Sequence, residues 1–107
     1  MLSVTDFLEQ LTTASDKRRM NNPPTPLHLP VHELIAPSKR ATRLLPIYEI
    51  WRRNYVASHK NGKPNYRRLS SLASRIWLDE GPAVRAYFVF LQQLMRRYLD
   101  IAHNRSG

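Results

Sequence analysis

Apolar residues recur through the second half of the chain with the period of an α-helix. In LSSLASRIW, residues 69–77, Leu69, Leu72, Ala73, Ile76 and Trp77 fall at i, i+3, i+4, i+7 and i+8. That spacing lines one helical face. Arg67, Ser71, Ser74 and Arg75 take the opposite face, where short hydroxyls and arginines stand in place of the usual long charges of both signs. The helix starts after Asn65, a good N-cap, and runs to about Glu80. Before it, Ile47, Tyr48, Ile50, Trp51 and Tyr55 form the apolar side of a helix that opens at Pro46 and stops at Asn61-Gly62 and Pro64. After Gly81-Pro82, a third helix carries Val84, Tyr87, Phe88, Leu91, Leu94, Met95 and Tyr98 at sustained helical spacing. With no strand signal, the fold class is all-α.

The first third reads differently. SVTDFLEQL, residues 3–11, sets Val4, Phe7, Leu8 and Leu11 on one face, with Ser3 and Asp6 in capping-box positions. It predicts a short helix of low stability alone. Five prolines between Met20 and Pro37, among them Pro23, Pro24, Pro26 and Pro30, predict an extended or disordered linker. VHELIA, residues 31–36, has room for one turn. The expected organisation is a largely extended, flexible N-terminal segment over 1–37 and a helical domain over 38–103.

Composition sharpens that division. Both tryptophans, all five tyrosines and two of the three phenylalanines lie in residues 48–98, so the core is expected in the second half. The net charge is +9, unevenly spread: residues 1–36 carry 3 Lys/Arg against 4 Asp/Glu, and residues 37–107 carry 14 against 4. Such an imbalance on one small domain favours a polyanionic partner, meaning DNA, RNA or an acidic membrane surface. The blander reading is a merely solubilising basic surface.

Several chemistries lack their residues. Without cysteine there are neither disulfides nor thiolate metal sites. His28, His32, His59 and His103 lack ligand spacing, and Pro30 interrupts the one i, i+4 pair. No Gly-rich phosphate loop, G-x-S-x-G elbow or His/Glu metal motif is present. Asp79 and Glu80 are adjacent on a helix, diverge by about 100° and do not share a site. The expectation is no catalysis, no cofactor and no metal. No apolar run nears spanning length and the N-terminus lacks the regions of a signal peptide, so no membrane partner is expected and the chain is read as intracellular.

Taken in order, the three helices resemble an HMG box. PIYEIWRRNY, residues 46–55, resembles the helix 1 signature N-A-F-x-x-(W/Y)-x-R. LSSLASRIW resembles the helix 2 signature I-S-x-x-L-G-x-x-W, with Leu69, Ser70, Ala73, Ser74 and Trp77 on its positions. WLDEGPAVRAYF, residues 77–88, is similar to the W-x-x-E-x-P-x-V-R-x-x-F turn of fungal mating-type-like boxes. The match covers about residues 38–102. It implies an L-shaped three-helix fold that binds the minor groove of double-stranded DNA and bends the duplex.

The resemblance also assigns roles. Lys39, Arg40 and Arg43 precede helix 1, in the segment that runs along the minor groove in this family. Tyr48, Glu49, Arg52 and Arg53 fall on the DNA side of helix 1, with Arg53 the better-matched contact. Ser70, Ser71 and Ser74 let helix 2 approach the backbone and donate to it, while Arg67 and Arg75 neutralise phosphates. Their bland reading is ordinary exposed serines. Tyr66 stands near the wedge position at the start of helix 2; its bland reading is a partly exposed tyrosine capping the loop. Trp51, Trp77, Tyr87 and Phe88 correspond to core aromatics, and Arg96 and Arg97 to solvated surface.

Three departures bear on specificity. The family's base-reading Asn is Pro46, the wedge after the aromatic is Glu49, and the basic tail with its P-x-Y element is missing. A carboxylate in the minor groove meets phosphate repulsion and desolvation. The expected function is therefore weakly selective, minor-groove DNA binding in the nucleus, transcription-related or architectural. The alternative is a degenerate box that docks a protein partner, the N-terminal segment taking part. A basic RNA-binding helical domain is a third reading.

Overall fold

The computed structural model describes residues 2–38, 43–59 and 65–106, and among these it contains helices and no strand. Six helices follow in order: α1 (Val4–Gln10), α2 (Ala14–Met20), α3 (Val31–Leu34), α4 (Ile47–Ala57), α5 (Tyr66–Asp79) and α6 (Pro82–Ser106).

The three longer helices begin where their caps dictate. Pro46 is the N-cap of α4, and Asn65 Oδ1 accepts the Arg68 N–H to open α5. Glu80 ends α5 in extended geometry, and α6 resumes directly at Pro82. At 1.5 Å per residue, α6 is about 37 Å long and forms the spine of the molecule. Tyr87, Phe88, Phe90, Leu91, Leu94, Met95 and Leu99 are all buried along it. These positions wrap too far round the helix for one neighbour to cover. α4 supplies one cover, through Ile50 and Trp51. The other comes from the N-terminal third.

That second cover corrects the sequence expectation of a largely extended and flexible arm. Phe7 of α1 is fully buried and meets Tyr98 edge-on at 5.6 Å. The Tyr98 hydroxyl donates to the Leu2 carbonyl at 3.0 Å, and the Tyr87 hydroxyl to the Met20 carbonyl at 2.9 Å. Burial pushes the Tyr87 hydroxyl up to about 12. Leu34 and Ile35 lie fully buried in the same core as α4 and α6. The core is therefore not confined to the second half.

α2 has no buried residue, which is why hydrophobic periodicity does not reveal it. A reciprocal capping box holds its start: Thr13 Oγ accepts from Asp16 N, and Asp16 accepts from Thr13 N. Polar and cation–π contacts to α6 then fix its place. Arg97 pairs with Asp16 at 2.9 Å, and the Arg19 guanidinium lies 4.7 Å over the Phe90 ring.

The Pro-rich stretch between α2 and α3 is irregular, and Asn54 clamps it. Asn54 Oδ1 accepts the His28 N–H at 2.6 Å, while its Nδ2 donates to the Pro26 carbonyl at 3.0 Å. The side chain is buried, and a buried amide needs such partners. A strand would satisfy these backbone groups with a second strand; here one helical side chain does so.

Candidate nucleic-acid interface

α5 leans on α4 and buries only Leu69 and Ala73, leaving most of its circumference in solvent. Arg67, Ser71, Ser74 and Arg75 are exposed on its outer face, as the sequence pattern predicts. Arg68 is also exposed, beside them at the first turn, and joins the candidate set. The Arg-Arg pair at the helix start was the available signal. The predicted apolar face is narrower than its spacing suggests: Leu72 and Ile76 each remain 39% exposed, because α4 covers only the Leu69–Ala73–Trp77 edge.

The charges of α5 run against its own dipole. A helix favours acids at its N-terminus and bases at its C-terminus, each worth about 0.3–1 kcal/mol near the surface. α5 opens with Tyr66, Arg67 and Arg68, closes with Asp79, and has no acid in the first turn and no base in the last. Among the described residues no side chain pairs with Arg67, Arg68 or Arg75. Compensation at the C-terminal end comes from outside the helix. Arg85 of α6 donates through Nη2 to the Trp77 carbonyl at 2.6 Å and to the Leu78 carbonyl at 3.2 Å. Its guanidinium also lies 4.5 Å over the Trp77 ring. Among the described residues nothing comparable offsets the paired arginines at the other end.

The hydroxyls differ in what they can offer. Ser70 sits half-buried at the α4–α5 seam, where its Oγ accepts from Arg52 Nη2 at 2.9 Å. Arg52 also pairs with Glu49 at 3.4 Å, so Glu49, Arg52 and Ser70 form one linked set across the two helices. Ser74 Oγ donates back to the Ser70 and Ser71 carbonyls, both at 3.2 Å. Its proton is directed back into the helix. Ser71 Oγ is the exposed hydroxyl left to donate outward.

Two helix 1 positions serve the fold. Arg53 Nη1 donates to the carbonyls of Glu33 at 3.3 Å, Leu34 at 3.0 Å and Ala36 at 2.6 Å. It therefore caps the C-terminus of α3, where the last carbonyls of a helix need partners from outside it. Burial lowers the Arg53 guanidinium from its ordinary value, against the raising influence of Glu49. The expected phosphate contact is instead the joint between α3 and α4. Tyr48 is half-buried in an aromatic cluster, stacked on Trp51 at 6.0 Å and tilted against Trp77 at 6.3 Å. Arg43 is exposed, and Tyr66 is 62% exposed beside Arg67. Lys39 and Arg40 lie outside the described residues; the helix expected to stop at Asn61-Gly62 already ends at Ala57, where Ser58 is the C-cap.

Arg97, expected as solvated surface, instead carries the Asp16 pair. Burial by itself would raise the Asp16 carboxyl, but hydrogen bonds from Arg97 and Thr13 and the Arg97 charge outweigh it and hold the carboxyl below its ordinary value. A depressed folded-state value stabilises the fold above the unfolded carboxyl's value near 3.9 and ceases to do so as pH falls through the folded value. The docking of α2 is thus expected to weaken below about pH 4. Amide exchange across α2, followed from pH 6 to pH 3, checks this. Asp16→Asn should weaken protection at pH 6 and flatten its pH dependence.

No group of three or more His, Cys, Asp or Glu that would suit a metal ion occurs among the described residues, and no described helix is long and apolar enough to cross a membrane. The geometry is a cationic helix edge with the outward hydroxyl of Ser71, the exposed ring of Tyr66 at its head and an apolar edge beside it. Comparison with family models, curated proteins and solved structures finds no match to this chain.

Proposed function

We propose that this chain is a non-enzymatic DNA-binding protein of HMG-box type that seats a duplex on the outer face of α5. It acts in the nucleus, in transcription or DNA architecture, with weak sequence selectivity. The observation that carries the reading is the unpaired arginine pair, Arg67 and Arg68, at the positive end of α5. Two cations held against a helix dipole are unfavourable in the free protein, and a polyanion laid across that end relieves both. Arg75, Ser71 and Arg43 extend the surface. Tyr66, exposed at the head of the helix, supplies an aromatic beside the phosphates. In the L-shaped arrangement that the resemblance implies, Tyr66 enters a base step and kinks the duplex.

Binding of linear and four-way-junction DNA at two salt concentrations tests the reading. Arg67→Ala, Arg68→Ala and Arg75→Ala should each weaken binding across sequences and lower the salt slope by about one unit. Unchanged slopes in all three would move the interface off α5. Energy transfer between dyes at the ends of a short duplex reads bending. Tyr66→Ala should reduce it, and Glu49→Ile should raise it by replacing a carboxylate with an apolar side chain. Binding that persists with no change of bend in either variant would exclude the wedge.

A second reading, a box that docks a protein, is favoured by the half-exposed Leu72 and Ile76 on the other edge of α5. Undiminished DNA binding in Leu72→Gln/Ile76→Gln would separate that edge from the DNA surface.

A further inference from the structure

A second cationic surface lies away from α5, where α2 packs beside α6. The two helices enclose a depression of about 560 Å³, whose lining includes Ser15, Asp16, Arg19, Gln93, Arg96 and Arg97. Three guanidinium groups from two helices thus converge on one concavity that holds a single carboxylate. Their bonding leaves donors free. Arg97 uses Nη2 on Asp16 and keeps a side chain 44% exposed. Arg19 lies over Phe90 and donates one Nη2 contact to the Ala86 carbonyl at 3.5 Å. Arg96 is exposed and makes no hydrogen bond or ion pair among the described residues.

The occupant can be argued from the lining. Phe90 is buried beneath Arg19 and only 4% exposed, and Val89 is half-buried, so no large apolar side chain of the lining stands open to a peptide or a lipid chain. Of the large exposed apolar side chains among the described residues, Tyr66, Leu72, Ile76 and Leu78 are on α5 and Leu11 ends α1; none lines the depression. Guanidinium forks match phosphate oxygens two at a time, and an exposed Gln93 adds a neutral donor. A row of phosphodiesters fits such a surface better than a single anion, since the arginines come from two helices.

We propose that the depression between α2 and α6 is a second phosphodiester-binding surface, on which a second duplex segment seats while α5 holds the first. Along the helices, Arg96 lies eleven residues beyond Arg85, where α6 meets the end of α5, or about 17 Å. Arg67 lies ten residues before Trp77 at that junction, about 15 Å along α5. No residue lining the depression belongs to α5, so the two surfaces are separate, and a chain that seats a duplex on each bridges two backbones. The inference rests on the nucleic-acid reading of the chain, and its test separates the two.

The full chain is mixed with equal amounts of donor-labelled and acceptor-labelled short duplexes at low salt. Energy transfer between duplexes reports bridging, anisotropy at limiting chain reports the first binding event, and sedimentation of the chain alone establishes that it is monomeric. Bridging is expected with the native chain. Arg96→Glu and, separately, Gln93→Glu should abolish it while leaving the first affinity within about twofold at raised salt, where only the stronger surface binds. The α5 variants should lose the first affinity instead. Bridging that survives both groove variants overturns the inference and leaves the α5 reading standing. An equal loss of first affinity in groove and α5 variants also overturns it, because the two would then be one surface. Arg96-dependent binding of phosphatidylserine vesicles with no effect on duplex bridging would make the groove a membrane contact and overturn it too.

Discussion

Replacing Trp51 by alanine is expected to cost about 3–5 kcal/mol, a large part of the stability of so small a domain. Trp51 is the hub of the aromatic cluster that joins α4 and α5. It stacks on Tyr55 at 5.3 Å and 9°, on Tyr48 at 6.0 Å and 26°, and meets Trp77 at 5.4 Å. Its Nε1 donates to Glu80 at 3.2 Å, holding the turn between α5 and α6. The alanine variant loses the ring, leaves a cavity among three aromatics and strips Glu80 of its donor. Trp51→Phe keeps much of the packing and removes the donor, so it should be distinctly milder. Urea unfolding followed by circular dichroism measures both. Trp77, the equivalent expectation from sequence, is only half-buried, and its replacement should cost less than that of Trp51. A Trp51→Ala variant with a near-native midpoint would mean that α4 does not face the cluster as described.

The second large effect concerns the N-terminal third. A chain beginning at residue 38 is expected to lose its cooperative fold, although sequence patterning marks that residue as a domain edge. Removing α1–α3 takes Phe7, Leu34 and Ile35 out of the core and uncovers the Tyr87, Phe90 and Tyr98 side of α6. It also leaves the Asn54 amide and the Arg53 guanidinium without the carbonyls they bind. A partly helical, dye-binding state with a weak near-ultraviolet spectrum should result. A sharp melt and a native aromatic spectrum for residues 38–107 would show instead that the arm is dispensable. The outcome also bears on the groove between α2 and α6, which exists only while the arm is docked.

Local rules were enough to read the three long helices. Pro46, Asn65 and Gly81-Pro82 are punctuation whose effect is confined to neighbouring residues, and the helices start and stop beside them. Ser3 likewise caps α1 from within its own first turn. The exposure of Arg67, Ser71 and Arg75 was legible for the same reason: a helix carries its faces with it.

What a cation does was not legible, because that depends on which carbonyls and carboxylates arrive from elsewhere in the chain. Arg53 matches a contact motif, but the end of α3 reaches it from twenty residues away. Arg97 meets Asp16 across a separation of 81 residues. Arg67, Arg68 and Arg75 have the same side chain and no such neighbour among the described residues, and only packing distinguishes them. The N-terminal arm was misread for a related reason. Its prolines exclude regular helix between residues 22 and 30, yet they say nothing about whether an extended chain has a surface to lie on. That surface is the far side of α6, whose apolar positions wrap round more of the helix than α4 alone can cover. Sequence by itself determined where helices form and which residues each face presents. Tertiary structure decided which faces are covered, since burial depends on the partner that arrives as well as on the face that waits for it.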